Sequence, residues 1–129
     1  MSEGADQRTS GEIIFVDDYP FFRDFYTDDA KQAGVDFTVF EGAEGALARL
    51  EESKAVAAVF TDGLDGAWKE VVDAAKKDGI PAFVVSTDDN IQTAVEAEGA
   101  QFILKNMLRP GFLALRLAGL ERPAETNLP

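Results

Sequence analysis

The sequence predicts a doubly wound α/β domain, in which a five-stranded parallel sheet carries helices on both faces. Short apolar runs alternate with helix-period segments, and this pairing occurs five times along the chain. The third run, Val56 to Thr61, is apolar along its length, as expected for a central parallel strand. The length of 129 residues and the 46% hydrophobic content suit one compact domain with a substantial core.

The strands are predicted from the apolar runs, and the first and third of them should lie at the centre of the sheet. Their predicted ranges are Glu12 to Val16, Asp36 to Phe40, Val56 to Thr61, Ile80 to Val85, and Gln101 to Lys105.

The helices are predicted from apolar residues at helical spacing, with Pro at helix starts, Gly at helix ends and Asn90 as the N-cap of a short fourth helix. The predicted helices run from near Pro20 to Gly34, Gly42 to Glu52, Asp65 to Lys77, a short segment after Asn90, and a segment from Pro110. The residues expected to face inward are Phe22, Tyr26, Ala30, Ala33, Ala43, Ala46, Leu47, Leu50, Trp68, Val71, Val72, Ala75, Ile91, Ala94, Val95, Phe112, Leu113, Leu117 and Leu120. Residues 1–11 are predicted to be a disordered leader, 12–120 the folded domain, and 121–129 a flexible tail.

The composition excludes several classes of function. Without cysteine there are no disulfides or thiolate sites, and without histidine the chain cannot itself be a histidine kinase or a histidine phosphocarrier. A net charge of -12 argues against binding to nucleic acid, whose phosphates attract basic surfaces. No apolar stretch approaches a membrane span and the polar start lacks a signal-peptide pattern, so we expect a cytoplasmic protein without membrane contact.

Five polar residues stand at the carboxyl ends of the predicted strands, where doubly wound sheets bind ligands. They are Asp17, Asp18, Asp62, Ser86 and Lys105. Three clustered carboxylates repel one another unless a cation neutralises them, and hard oxygen ligands at this density favour Mg²⁺. With Lys105 supplying a second positive charge and Ser86 a hydroxyl, the pattern is typical of a phosphoryl-transfer site with Asp62 as the nucleophile.

These residues resemble the receiver domain of two-component response regulators, and the resemblance spans Glu12 to Leu120. Asp17 and Asp18 match the family's acidic pair, and Asp62 matches its phosphoacceptor. The remaining matches are Ser86 at the conserved-type Ser/Thr, Phe102 at the aromatic switch position, Lys105 at the lysine that ends the fifth strand, and Gly99-Ala100 before that strand. The resemblance implies a flavodoxin-like sheet with strand order 2-1-3-4-5.

The resemblance also implies a function. Asp62 would take a phosphoryl group from a partner histidine kinase or histidine phosphotransfer protein, with Mg²⁺ held by Asp17, Asp18, Asp62 and the backbone carbonyl of Leu64. The protein would be a signalling phosphoacceptor and not an enzyme in the usual sense. Ser86 and Phe102 would change position on phosphorylation, and the output would be an altered contact between a target protein and the fourth helix, fifth strand and last helix. The chain would act as a single-domain regulator or be a receiver from a longer protein.

The sequence departs from the family in the loop after the phosphoacceptor. Asp65-Gly66 follows Asp62 after only Gly63 and Leu64, so the loop is several residues shorter than in most members. This shortening counts against the Leu64 carbonyl as the expected metal ligand.

Three further departures from the family lie in the part of the sequence after Ser86. Asn106 follows Lys105 where the family has a cis proline, so a trans bond is expected because a non-proline cis bond costs about 2.5–4 kcal/mol. The segment between Ser86 and Phe102 is short, which predicts a stunted or disordered fourth helix. Thr87 stands where a small residue is usual and would narrow access to the phosphoryl group.

Two other functions remain open at this stage. A pseudo-receiver would keep the fold and bind partners without phosphorylation, and the shortened loop favours it. A Mg²⁺-dependent phosphohydrolase of the haloacid dehalogenase type would carry a second Asp two residues after the nucleophile, where this chain has Leu64. Each site residue alone also has a structural interpretation: an Asp after a strand commonly caps a turn, and Phe102 fits the core.

Overall fold

A computed structural model describes residues 11–52 and 55–121, which form a single five-stranded parallel sheet with helices on both faces. The strands are β1 (Glu12–Val16), β2 (Phe37–Phe40), β3 (Val56–Asp62), β4 (Ala82–Ser86) and β5 (Gln101–Leu104). Their spatial order is β2-β1-β3-β4-β5. The doubly wound sheet, its flavodoxin-like order and the central position of β1 and β3 are therefore confirmed.

Five α-helices connect or follow the strands. They are α1 (Pro20–Ala33), α2 (Ala43–Glu52), α3 (Trp68–Lys77), α4 (Gln92–Ala97) and α5 (Phe112–Glu121). Within the described ranges, none of the helices combines the length and apolarity that crossing a bilayer requires. The predicted leader 1–11 lies outside these ranges except for Gly11, and the predicted tail 121–129 lies outside them except for Glu121, the last residue of α5.

The third helix begins later than predicted. It starts at Trp68 and not at Asp65, because residues Leu64–Gly66 form a separate 3-10 turn in which Leu64 and Asp65 have left-handed backbones, with φ of 50° and 52°. An α-helix cannot pass through left-handed residues. The short loop after β3 therefore closes with this turn before the helix can start.

Other element boundaries also shift. The N-cap residue of the turn before α4 is Asp88, whose Oδ1 accepts a hydrogen bond from the backbone N–H of Asn90 at 3.0 Å, so the prediction of Asn90 as the cap was wrong. The helix α4 has only six residues, as the short segment indicated, and Ala94 is exposed. Gly111 has a φ of 94°, which delays the start of α5 to Phe112. All peptide bonds of the described ranges are trans.

The sheet separates two hydrophobic clusters. On one face α2, α3 and α4 cover the strands, with buried side chains from Ile14, Val16, Ala46, Leu50, Val59, Trp68, Val71, Val72, Ala75, Ala82, Val84, Val95 and Ala100. The other face is covered by α1 and α5. The buried side chains there come from Ile13, Phe15, Tyr26, Ala30, Ala58, Phe60, Phe83, Val85, Ile103, Phe112 and Leu113. Strand residues alternate between the clusters because successive side chains point to opposite faces.

The buried carboxylate of Asp29 joins the two helices on the second face. Asp29 lies on α1, and its Oδ1 and Oδ2 accept hydrogen bonds from the backbone N–H groups of Gly111 at 2.6 Å and Leu113 at 3.0 Å. The first N–H groups of a helix have no partner within the helix. Asp29 therefore caps the start of α5 from a different helix.

Asp29→Ala should destabilise the fold. The substitution leaves the two backbone donors without their acceptor in a buried setting, so we expect the free energy of unfolding to fall by about 2–4 kcal/mol. Urea denaturation followed by circular dichroism measures this change. Asp28→Ala removes the same charge from the exposed neighbouring position and is the matched control. Equal losses in the two variants would contradict the capping role.

Candidate functional site

Three aspartates converge at the carboxyl edge of the sheet, between its two central strands. Val16 of β1 pairs with Thr61 of β3, so the residues that follow them, Asp17 and Asp62, emerge side by side. Carboxylate oxygens of Asp17, Asp18 and Asp62 all lie within 4.8 Å of one another. Asp17 is fully buried, Asp62 is half-buried and Asp18 is exposed. The predicted acidic cluster therefore forms in the folded chain.

The ammonium of Lys105 bridges two of these carboxylates. Lys105 follows the last residue of β5, and its Nζ lies 2.7 Å from Asp62 Oδ1 and 2.8 Å from Asp17 Oδ2. The lysine side chain is only 7% exposed. Charge-assisted hydrogen bonds of this length are strong because the surrounding protein excludes water. Lys105 thus joins the ends of three strands at one point.

Asp17 is held by groups from the start of α1 as well as by Lys105. Its Oδ1 accepts a hydrogen bond from the backbone N–H of Tyr19 at 3.0 Å, and its Oδ2 accepts one from the Tyr26 hydroxyl at 3.4 Å. The Arg23 guanidinium donates to the Asp17 carbonyl at 3.0 Å. Burial raises the pKa of Asp17, and the hydrogen bonds from Lys105 and Tyr19 oppose that rise.

The pKa of Lys105 shifts in the direction that keeps it charged. Burial alone would lower it, but the hydrogen bonds to Asp17 and Asp62 and the negative charges of these carboxylates together outweigh the burial, so the pKa of Lys105 lies above its usual value. Burial together with the charges of Asp17 and Asp62 raises the pKa of Tyr26, so its hydroxyl remains a donor.

The short loop after Asp62 folds back onto that residue. The backbone N–H of Leu64 donates to Asp62 Oδ2 at 2.9 Å, so each carboxylate oxygen of Asp62 has a donor. The Leu64 carbonyl accepts a hydrogen bond from the Ala67 N–H at 3.0 Å. A carbonyl oxygen has two lone pairs, so this bond leaves one for another ligand. The role of Leu64 as a metal ligand stays a prediction.

The other predicted site residues are Ser86, which ends β4, and Phe102, which lies within β5. Ser86 is buried, and its Oγ accepts the backbone N–H of Asp88 at 3.0 Å. A Cβ added to Gly63 would lie 3.5 Å from that Oγ, so Ser86 borders the loop after Asp62. Thr87 is exposed. Phe102 is half-buried and packs on the hydrophobic cluster covered by α2, α3 and α4.

The donor set suits a divalent cation. Three carboxylates and one lysine leave two net negative charges in the cluster, which a divalent ion would balance. Asp18, exposed at the rim, is the carboxylate of the cluster that Lys105 does not bridge. The arrangement can therefore bind a hard cation beside Asp62 and present a carboxylate oxygen to an incoming electrophile.

Two aromatic residues touch this site although the sequence assigned them only to the inward face of the first helix. Tyr26 reaches Asp17 through its hydroxyl, and the Phe22 ring centroid lies 4.1 Å from the Lys105 Nζ. A tyrosine hydroxyl at an inward helix position needs a buried partner, and this was the available signal for Tyr26. No comparable signal existed for Phe22.

Lys105→Met should make stability strongly dependent on pH. Without the ammonium, the Tyr19 backbone still opposes the effect of burial but the larger opposing hydrogen bond is lost, so the pKa of Asp17 rises further. A carboxyl whose pKa is raised in the folded state favours folding while it is protonated, and this contribution is lost as the pH rises through that pKa. We therefore expect the variant to lose stability relative to wild type between about pH 4 and pH 7, reaching about 3–5 kcal/mol.

Urea denaturation at both ends of this pH range measures the effect in metal-free buffer. Lys77→Met, which removes an exposed lysine at the end of α3, is the control and should differ little from wild type at either pH. A pH-independent loss in Lys105→Met would show that only packing was removed.

Comparisons with known proteins give matches in structure and none in sequence. Neither the protein-family models nor the curated proteins include a match to this chain. A response regulator receiver domain protein (CheY-like) from Methanospirillum hungatei matches with a TM-score of 0.76 and 21% identity, over 92% of this chain and 99% of that one. A response regulator from Thermotoga maritima matches with a TM-score of 0.73 and 18% identity, over 87% and 98%.

A third solved structure, a response regulator receiver domain protein from Clostridium thermocellum, gives a TM-score of 0.73 at 14% identity, over 92% of this chain and 99% of that one. These identities are too low to carry residue roles across, but the coverage extends over nearly the whole of each neighbour. The chain therefore has the fold of response regulator receiver domains.

Proposed function

We propose that this chain is a phosphoacceptor receiver that takes a phosphoryl group onto Asp62. The observation that carries the proposal is the cluster of Asp17, Asp18 and Asp62 with Lys105 bound to the Asp62 carboxylate at 2.7 Å. The receiver fold supports the same role, because its strand ends bring these residues to one edge. The phosphoryl donor would be a histidine kinase or a histidine phosphotransfer protein.

In the proposed step an Asp62 oxygen forms a bond to the phosphorus of the donor's phosphohistidine. The bond from phosphorus to the histidine nitrogen breaks, and that nitrogen keeps the electron pair. Lys105 offsets the charge of the transferred group, and Ser86 donates its hydroxyl to a phosphoryl oxygen. Because Asp62 is already oriented by Lys105 and by the Leu64 N–H, little rearrangement of the nucleophile is needed.

The metal ion in this proposal is Mg²⁺. When bound, it would neutralise charge on the carboxylates and on the phosphoryl oxygens. Asp18 and Asp62 would hold it directly, Asp17 would orient it through water, and the Leu64 carbonyl would complete the ligands. Asp17 is already paired with Lys105, which agrees with an indirect role.

Signalling would follow from a shift between two conformations. Phosphorylation would favour the conformer in which Ser86 moves toward the site and Phe102 turns inward. The surface formed by α4, β5 and α5 would then present a different contact to a target protein. Ser86 and Phe102 lie at the end and in the middle of neighbouring strands, so a shift of one can reach the other through the sheet.

A pseudo-receiver that binds its partner without phosphorylation is the second candidate. The left-handed Leu64 and Asp65 favour it, because the shortened loop uses the Leu64 carbonyl to close its own turn. A metal ligand lost in this way would weaken the Mg²⁺ site.

Asp62→Asn should abolish phosphorylation while keeping the fold. An amide cannot replace the carboxylate as nucleophile, so incubation with acetyl phosphate and Mg²⁺ should give a single phosphoryl adduct in wild type and none in the variant. Intact-protein mass spectrometry with and without a chelator measures the adduct. Asp65→Asn, an exposed position in the same loop, is the control and should be phosphorylated like wild type. Wild-type protein that binds Mg²⁺ weakly and forms no adduct would favour the pseudo-receiver.

Asp18→Asn should remove the stabilisation that Mg²⁺ provides. In chelator the variant should be at least as stable as wild type, because it lacks one of three repelling charges. At a Mg²⁺ concentration about 100 times the dissociation constant, wild type should gain about 2.7 kcal/mol, and the variant much less. Thermal unfolding with and without Mg²⁺ tests this. Asp24→Asn on the exposed side of α1 is the control, and equal gains in Asp18→Asn and wild type would move the metal site elsewhere.

A further inference from the structure

The Phe22 ring lies beside the Lys105 ammonium, which also contacts the carboxylates of Asp17 and Asp62. An ammonium group has three N–H donors. Two of the directions around Nζ are taken by Asp17 and Asp62, and on a further side the Phe22 ring centroid lies 4.1 Å away. At this distance the negative face of the ring attracts the cation. The charge of Lys105 is therefore surrounded by two carboxylates and one aromatic face.

The Phe22 ring is itself held in place. It packs edge-on against Phe21, at 5.2 Å between centroids, and at a tilt against Tyr19, at 6.2 Å. The Phe22 backbone N–H donates to the Tyr19 carbonyl at 3.1 Å, within the first turn of α1. Tyr19 and Phe21 are largely exposed, whereas Lys105 behind the ring is buried. The ring thus contacts exposed aromatic residues as well as the buried lysine.

We propose that Phe22 is a positioning residue that fixes the Lys105 ammonium between Asp17 and Asp62 through its aromatic face. This inference rests on the proposed function, because a fixed ammonium matters most when Lys105 must meet a phosphoryl oxygen at a set position. A flexible lysine side chain loses rotamer freedom when it is held, and the ring contact offsets part of that loss before the phosphoryl group arrives.

The aromatic face is what distinguishes this role from simple packing. A leucine at position 22 would cover a similar apolar area but would not attract a cation. A tyrosine would keep the ring face and its attraction for the ammonium. Phe22→Leu and Phe22→Tyr therefore separate the two explanations without a large change in volume.

The experiment compares wild type with Phe22→Leu, Phe22→Tyr and Phe25→Leu. Phe25 is half-buried on the same helix and packs on Phe112, which makes it the matched control for losing an aromatic ring from α1. Urea denaturation first establishes that each variant is folded. The first readout is the NMR shift of the Lys105 methylene protons next to Nζ, which a ring face moves upfield. The second is the rate of adduct formation with acetyl phosphate and Mg²⁺.

We expect the upfield shift in wild type and Phe22→Tyr, and its loss in Phe22→Leu. Phosphorylation should slow by about three- to tenfold in Phe22→Leu and stay within about twofold of wild type in Phe22→Tyr and Phe25→Leu. Equal rates and unchanged lysine shifts in Phe22→Leu would overturn the inference, as would equal slowing in Phe22→Leu and Phe22→Tyr. Wild-type protein without any adduct would contradict the proposed function alone, and the lysine shifts would still decide whether the ring holds the ammonium.

Discussion

The bridge that Lys105 makes between Asp17 and Asp62 is the interaction on which the geometry of this edge of the sheet depends. It joins residues that follow β1 and β5 to the last residue of β3, with β4 between two of those strands. Burial disfavours the charged forms of Asp17 and Lys105, and it raises the pKa of Asp17 for this reason. The mutual pairing offsets that cost, so each charge is tolerable only because the others are present. Because each charge depends on the others, an incoming cation or phosphoryl group would change the balance between the carboxylates and the lysine.

Helix α1 sets the surroundings of this bridge. From its first two turns come Phe22, beside Lys105, and Tyr26, on Asp17. One turn farther on, Asp29 caps the start of α5, the helix that forms part of the proposed output surface. A single helix thus contacts both the ion pairs and α5, its neighbour on the same face of the sheet. A displacement of α1 would change its contacts with both the ion pairs and α5, because a packed helix moves as a unit.

The loop after Asp62 and the helix α4 are both short. The loop after Asp62 carries two left-handed residues, which cost roughly 1–2 kcal/mol each outside glycine, and the hydrogen bond from the Leu64 N–H to Asp62 offsets part of that cost. The six-residue α4 is tied to α3 at its end, where Lys76 donates to the Glu98 carbonyl at 2.8 Å and Lys69 pairs with the Glu98 carboxylate at 3.4 Å. A tight loop and a short, tethered helix leave less room for rearrangement than longer elements would.

The sequence alone predicted the doubly wound sheet, its central strands and the convergence of Asp17, Asp18, Asp62 and Lys105, because apolar runs mark the strands and parallel strands end at the same edge of a sheet. It did not predict the late start of α3, since the left-handed turn at Leu64 follows from closing a short loop between a fixed strand and a fixed helix. Nor did it predict the contacts of Phe22, Tyr26 and Asp29. Asp29 and Gly111 are 82 positions apart, and the rings of α1 meet the ion pair only after that helix has packed on the sheet. Such contacts depend on how whole helices pack against the sheet. The spacing of residues in the sequence does not encode this packing.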